Sequence, residues 1–210
     1  GAGKTTIVKL ICGLFEPTEG QVLVNNVDLK TLDKEDYQKL ISTVFQDYDI
    51  YALTVLENVG GMDYNREKVI QCIDSVGLKE VIEALPNSYD TTLLKVIDEN
   101  GVDLSGGQKQ RLAIASAIYS RKQFLYFDEP TSGLDKQSMI AFSDTLLHIK
   151  DKAECIFVIT HDPELLFSCA DFILKLEDNH VYDYYPMDKS GIEKTKNYFY
   201  DAYVKGAVEC

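Results

Sequence analysis

The sequence is short of basic side chains. Its 210 residues include 21 Lys and Arg against 34 Asp and Glu, which gives a formal net charge of −13. Because a phosphate backbone would be repelled over most of such a surface, the charge argues against a nucleic-acid-binding protein, although a local basic patch is compatible with it. Long apolar runs are also missing: the longest, such as Leu112–Tyr119, fall far short of the ~18 residues of a membrane-spanning helix.

Paired cysteines are a second absence. The five cysteines are odd in number, and no two are spaced as C-x-x-C. This pattern predicts neither a zinc site nor a disulfide framework, so we expect reduced thiols in a cytosolic compartment. The 45% of apolar residues and 26% of charged residues predict a globular protein with a sizeable core.

Short β-branched or aromatic runs alternate with longer helical stretches, which predicts an α/β fold with a largely parallel sheet. The predicted strands are Gln21–Asn25, Ile41–Phe45, Gln123–Phe127, Cys155–Thr160 and Phe172–Leu176. The predicted helices are Thr5–Cys12, Lys34–Lys39, Arg66–Val76, Ser105–Ser120, Lys136–Ile149 and Pro163–Cys169. Between about Leu53 and Ser120 the pattern is helical throughout, which predicts an inserted all-helical subdomain. The charged, Tyr-rich tail from Asp188 has a weak helical pattern.

The sequence opens inside a candidate phosphate-binding motif. Its first six residues are Gly1, Ala2, Gly3, Lys4, Thr5 and Thr6. They match the end of G-x-x-x-x-G-K-[ST], in which backbone N–H groups and a helix N-terminus surround phosphates, the Lys reaches the β and γ phosphates, and the hydroxyl binds Mg²⁺. An ordinary glycine-rich helix cap is the alternative. Because the first residue is not Met and the motif is incomplete, we expect a fragment whose true N-terminus lies upstream.

Two carboxylates follow a buried strand. The apolar run Phe124–Phe127, expected to be covered on both faces, ends in Asp128 and Glu129. Asp128 would face the ligand crevice at the carboxyl end of the sheet and could hold Mg²⁺. Glu129 would then activate or orient an attacking water. A helix-capping pair before Pro130 is the alternative.

A second helix start has the features of an anion-binding site. Leu104 is followed by Ser105, Gly106, Gly107 and Gln108, which open a strong helix. Ser105 is a good N-cap, and paired glycines let a ligand approach exposed backbone N–H groups.

At this point the sequence resembles the nucleotide-binding domain of ATP-binding cassette (ABC) proteins, over roughly residues 1–184. Gly1–Thr6 resembles the end of Walker A, Leu104–Gln108 the signature motif, and Phe124–Glu129 Walker B with its catalytic Glu. Residues 132–135 resemble the D-loop, ending in Asp135. This order of motifs is the order found in the family.

Two single residues add to the resemblance. Gln46, after the predicted strand Ile41–Phe45, resembles the Q-loop glutamine. His161, after Cys155–Thr160, resembles the switch histidine, although alone it would be interpreted as a strand-end His bonded to local backbone. Asp135 could equally cap the helix Lys136–Ile149.

The resemblance implies a P-loop NTPase core with a mainly parallel sheet and an inserted all-helical subdomain. It divides the chain into residues 1–52 (first part of the core), 53–120 (helical subdomain with the signature motif), 121–186 (second part of the core) and 187–210 (tail). It also implies ATP and Mg²⁺ as ligands. Two such domains would pair head to tail, with each ATP between the phosphate loop of one and the signature helix of the other.

The resemblance assigns roles residue by residue. The implied catalytic residues are Glu129, His161 and Gln46. The implied ATP-binding residues are Gly1, Ala2, Gly3, Lys4, Thr5, Thr6, Gln46, Ser105, Gly106, Gly107, Gln108 and Asp135. The implied Mg²⁺ residues are Thr5, Gln46 and Asp128.

The kind of ABC protein is indicated by fewer residues. The segments 47–59 and 98–101 resemble the exporter pattern, whereas Gly133 is closer to importer-type subunits. We therefore expect an exporter-like ATPase domain. Its partners would be a second nucleotide-binding domain, identical or different, and a transmembrane domain, fused upstream or separate, at the cytoplasmic face of the membrane. An importer-type ATPase subunit, a soluble non-transport ABC ATPase and an inactive cassette are the alternatives.

Overall fold

The computed structural model describes residues 3–45, 48–96, 99–132, 134–177 and 180–208. Its first elements are helix α1 (Lys4–Ile11) and the antiparallel strands β1 (Leu23–Val24) and β2 (Val27–Asp28), followed by helix α2 (Lys34–Gln38). The predicted strand Gln21–Asn25 is therefore shorter than expected. Asn25 and Asn26 have φ values of 50° and 64°, the left-handed pair that reverses a two-residue hairpin, and so the chain turns back after Val24.

The parallel sheet is formed by β3 (Ile41–Val44), β4 (Phe124–Asp128) and β5 (Cys155–Ile159), in the order β3-β4-β5. The central strand β4 is buried from Leu125 to Asp128, which confirms the expectation of a strand covered on both faces. Because the strands are parallel, their carboxyl ends meet at one edge of the sheet, and Asp128 lies there opposite Ile159.

The region between β3 and β4 is helical, as predicted. Its α-helices are α3 (Val55–Gly60), α4 (Arg66–Ser75), α5 (Lys79–Glu83) and α6 (Gly106–Tyr119). Leu56, Ile73 and Leu112 are fully buried in the cluster that joins them. This region also contains two isolated β-bridge pairs that were not predicted, Thr54 with Thr92 and Leu93 with Val102.

Helices α7 (Lys136–Ile149) and α8 (Pro163–Cys169) flank β5 in the chain. Phe142 of α7 packs edge-on against Phe127 of β4, with ring centroids 5.6 Å apart, and thereby fixes α7 on the sheet. In the described part of the chain, we find no helix whose length and apolar character suffice to cross a membrane.

The last elements are the antiparallel strands β6 (Phe172–Glu177) and β7 (His180–Pro186) and helix α9 (Lys189–Val208). Strand β7 was not predicted, and the weakly patterned tail is helical. The start of α9 lies so close to β7 that a Cβ atom at Gly191 would be 1.9 Å from the Pro186 carbonyl oxygen. Only glycine fits at this contact, which explains how the tail can pack on the hairpin.

Candidate functional site

The N-terminus of α1 is open for an anion. Gly3 is its N-cap, with φ 74° and ψ 8°, and no side chain caps the helix there. The first helical bond runs from the Ile7 N–H to the Gly3 carbonyl, at 3.0 Å. The N–H groups of Lys4, Thr5 and Thr6 consequently have no acceptor within the helix. Gly1 and Ala2 lie outside the described residues.

Two residues predicted to bind Mg²⁺ lie together. The Thr5 Oγ1 donates a hydrogen bond of 2.9 Å to Oδ2 of Asp128, which is only 8% exposed. Gln46, the third, lies outside the described residues. A hydroxyl and a carboxylate are the hard oxygen ligands that suit Mg²⁺. Among the described residues no group of three or more His, Cys, Asp or Glu could hold a metal alone. The pair therefore fits an ion that also takes ligands from a bound phosphate.

His161 lies between Lys4 and Glu129. The Lys4 Nζ is 2.8 Å from His161 Nε2, and the same nitrogen is 3.5 Å from Glu129 Oε1. A charged lysine can only donate, so Nε2 is the acceptor of the hydrogen bond from Lys4. Three residues predicted separately from three segments of the chain thus meet at the carboxyl edge of β4 and β5.

The main chain of Glu129 is held in an unusual conformation. Its φ is 49°, in the left-handed region that costs a non-glycine residue about 1–2 kcal/mol. Its N–H donates to the Ile159 carbonyl at 2.8 Å. Its own carbonyl accepts from the Ser132 N–H at 3.1 Å and from the Gln110 Nε2 at 3.0 Å. These bonds fix the main chain of Glu129, and so the point from which its side chain extends, at the end of β4.

Gln110 was missed by the sequence analysis. It is only 6% exposed, on the same stripe of α6 as the buried Ile114 and Ala117, four and seven residues later. The sequence does carry a signal for this residue, because a glutamine among the apolar positions of a helix is expected to be buried. A buried amide needs a hydrogen-bond partner, which indicates a specific contact.

The start of α6 is a capping box. Ser105 is the N-cap, and its N–H donates to the Gln108 side chain at 2.9 Å. The Gln108 N–H points back to Ser105 Oγ at 3.4 Å. The position of a Cβ at Gly106 meets open space, and the Tyr48 hydroxyl donates to the Gly106 carbonyl at 2.5 Å. The structure thus forms the predicted second helix N-terminus, with Gly107 in its first turn.

Asp135 caps α7, as one of its two predicted roles requires. Its Oδ1 accepts from the Ser138 N–H at 2.7 Å, and hydrogen bonding from Ser138 lowers the pKa of the Asp135 carboxyl. Arg111 of α6 donates from Nη1 to Ser138 Oγ at 3.1 Å and to the Gly77 carbonyl at 2.9 Å. The cap of α7 is therefore connected to the helix that begins at the capping box.

Comparison with known proteins identifies the family. The family model described as ABC transporter matches residues 1–132, which is more than half of the chain. The chain belongs to the ABC transporter family, as an ATP-binding domain. This confirms the resemblance and the P-loop NTPase fold class predicted from the sequence.

Its relatives include exporters. The chain is 40% identical over 140 residues to the colicin V secretion/processing ATP-binding protein CvaB of Escherichia coli, an alignment that covers 66% of this chain and 20% of the relative. It is 38% identical over 183 residues to the ATP-dependent lipid A-core flippase of Chromohalobacter salexigens, covering 86% of this chain and 31% of that protein. The chain thus spans between a fifth and a third of the length of these relatives.

A solved structure has the same fold. A bacterial Atm1-family ABC exporter with ATP bound superimposes with a TM-score of 0.77 at 28% sequence identity, over 87% of this chain and 31% of that one.

Proposed function

We propose that this chain binds and hydrolyses ATP as the nucleotide-binding domain of an exporter-like ABC transporter. The observation that carries the proposal is the meeting of Lys4, Thr5, Asp128, Glu129 and His161 at the carboxyl edge of β4 and β5. The edge where parallel strands end is where ligands bind in open α/β sheets. Family membership and the exporters among the relatives support the same function.

ATP would be bound by the first turn of α1. The free N–H groups after Gly3 and the Lys4 ammonium are both complementary to phosphate oxygens. Gly1, Ala2 and Thr6 complete the proposed loop. Mg²⁺, held by Thr5 and Asp128 with Gln46, would neutralise phosphate charge and polarise the oxygens of the transferred group.

Hydrolysis would use Glu129 and His161. The Glu129 carboxylate is the proposed base: it takes a proton from a water while that water's oxygen forms a bond to the γ-phosphorus and the bridging oxygen leaves with ADP. His161 would contact the γ-phosphate. Because its Nε2 already accepts a hydrogen bond from Lys4, bound phosphate would compete with His161 for the Lys4 ammonium.

The second helix N-terminus is proposed to serve a different nucleotide. Ser105, Gly106, Gly107 and Gln108 would face the ATP bound by a second nucleotide-binding domain, and Asp135 would lie at the same interface. ATP would then close the pair and hydrolysis would reopen it. We propose a core of residues 1–52 and 121–186, a helical subdomain of residues 53–120 and a tail of residues 187–210. A transmembrane partner would place the domain at the cytoplasmic face of a membrane.

The test is Glu129→Gln in the intact protein. Without its proton acceptor the protein should retain ATP binding and lose steady-state hydrolysis by about 100-fold or more. ATP binding is measured by equilibrium titration and hydrolysis by phosphate release. Glu83→Gln, on α5 outside the site, is the matched control and should hydrolyse ATP at the wild-type rate. An unchanged rate for Glu129→Gln would refute the assignment of the base.

A further inference from the structure

The side chain of Gln110 reaches the candidate base from the helix that begins with the capping box. Its Nε2 donates a hydrogen bond of 3.0 Å to the main-chain carbonyl of Glu129, which lies 19 residues later in the sequence. Gln110 is the fifth residue of α6, which begins at Gly106. At 1.5 Å per residue, about 7.5 Å of helix separates it from the N-cap Ser105.

Packing does not explain a glutamine at this place. The neighbouring buried positions of α6 are the apolar Leu112, Ile114 and Ala117. A buried amide is unfavourable unless it is hydrogen-bonded, so an apolar residue would fill the same space at lower cost. The Glu129 carbonyl is the partner that makes the amide acceptable.

The hydrogen bond from Gln110 is made to Glu129, whose main-chain conformation is unfavourable for a residue other than glycine. Glu129 has a φ of 49°, and its other main-chain bonds come from β5 and from the turn that follows it. Gln110 adds the only side-chain donor to this carbonyl among the hydrogen bonds of the described residues. A rotation of the Glu129 main-chain dihedral angles would move its carboxylate away from His161. At present Glu129 Oε1 lies 3.5 Å from His161 Nε2.

We propose that Gln110 is a positioning residue that sets the orientation of the Glu129 carboxylate and couples it to the start of α6. A shift of the α6 N-terminus, when a nucleotide on a second domain contacts Ser105, would be transmitted through the rigid first turns of α6 to Glu129. Gln110 itself touches neither nucleotide. The proposal rests on the proposed function, because it requires Glu129 to be the base.

The experiment uses four variants of the intact protein: Gln110→Met, Glu129→Gln, their combination, and Gln71→Met. Gln110→Met keeps the length of the side chain and removes the donor. We expect kcat to fall about three- to tenfold, the effect of one hydrogen bond, with KM for ATP and ATP affinity within about twofold of the wild type. Gln71 is exposed on α4, and Gln71→Met should leave all three values unchanged.

The double variant separates positioning from general stability. If Gln110 acts through the base, Gln110→Met should cause no further loss once Glu129→Gln has removed it. A further three- to tenfold loss in the double variant would overturn the proposal, as would an unchanged kcat in Gln110→Met. If ATP affinity, thermal stability and kcat all fell together in Gln110→Met, Gln110 would have a purely structural role, and the proposal would also be overturned.

Three further outcomes are informative. If Gln110→Met does not fold, Gln110→Leu, which also removes the donor and suits a buried position, replaces it with the same expectation for kcat. If Glu129→Gln hydrolyses ATP normally, the proposed function fails at the base. If Glu129→Gln is inactive and Gln110→Met is fully active, only the coupling through Gln110 fails.

Discussion

Replacing Arg111 should loosen the cap of α7. The Arg111 Nη1 donates to the Gly77 carbonyl at 2.9 Å and to Ser138 Oγ at 3.1 Å, and the Ser138 N–H is in turn bound by Asp135. Arg111→Met keeps much of the aliphatic stem and removes both donors. The loop at Gly77 and the first turn of α7 then lose their connection to α6.

The magnitude follows from two opposing terms. Each hydrogen bond from a charged donor contributes about 1.5–3 kcal/mol. Against this, the Arg111 Nε is buried without a hydrogen-bond partner among the described residues, and its removal recovers about 1–3 kcal/mol. The difference is a net loss of about 2 kcal/mol, which corresponds to a roughly thirtyfold increase in local opening.

Hydrogen exchange of the intact protein measures this opening directly. Backbone amides of residues 76–80 and 136–140 should exchange roughly thirtyfold faster in Arg111→Met. The matched control is Arg66→Met, at the start of α4. It removes an exposed salt bridge in which Arg66 donates two hydrogen bonds to Asp90, of 2.8 and 2.9 Å. It should leave the amides of α7 unchanged. Exchange in α7 within about twofold of the wild type in Arg111→Met would show that the two bonds do not hold the cap.

Two further expectations concern the nucleotide. Lys4→Ala should weaken ATP binding about tenfold or more, because a charge that neutralises phosphate is removed; equal affinity in an equilibrium titration would contradict the phosphate-loop interpretation. Ser105→Arg should prevent ATP-dependent pairing by placing bulk where phosphate is expected, whereas Ser105→Ala, which loses only the cap, should still pair. Normal pairing of the Arg variant on size-exclusion chromatography with Mg²⁺ and a non-hydrolysable nucleotide would contradict the sandwich.

The parallel sheet could be predicted because β4 and β5 are apolar runs and three of the four residues of β3 are β-branched. Strands β3 and β5 lie within the predicted ranges, and β4 is shifted by one residue from the predicted Gln123–Phe127 to Phe124–Asp128. The helix starts were equally accessible, since Ser105 and Asp135 are side chains that cap helices in most contexts.

Other elements have no clear local pattern. Strand β2 follows a turn of two asparagines, which is typical of loops as well as hairpins. Strand β7 is mostly exposed and Tyr-rich, and its partner β6 was the only part of the hairpin with a strong strand pattern. Their pairing depends on contacts across the chain, which periodicity along one segment does not encode.

The chemistry of the candidate site was predictable, but its connections were not. Motif spacing selected Lys4 and His161 separately, yet their 2.8 Å contact joins residues 157 positions apart. The bond from Gln110 to Glu129 ends on a main-chain carbonyl, which every residue has, so no side-chain motif marks it. Such contacts depend on how separate elements pack together in the fold.

Helix α6 has a larger part in this arrangement than the signature motif alone would indicate. Ser105 caps its first turn, and Gln110 in its second turn donates to the carbonyl of Glu129. The next residue, Arg111, binds the turn that Asp135 caps. A rigid helix cannot move one of these contacts without the others, since its backbone hydrogen bonds fix their spacing. If the proposed nucleotide of a second domain shifts the start of α6, the base and the α7 cap must respond together. The effects of substitutions at Ser105 and Gln110 on hydrolysis should therefore be non-additive.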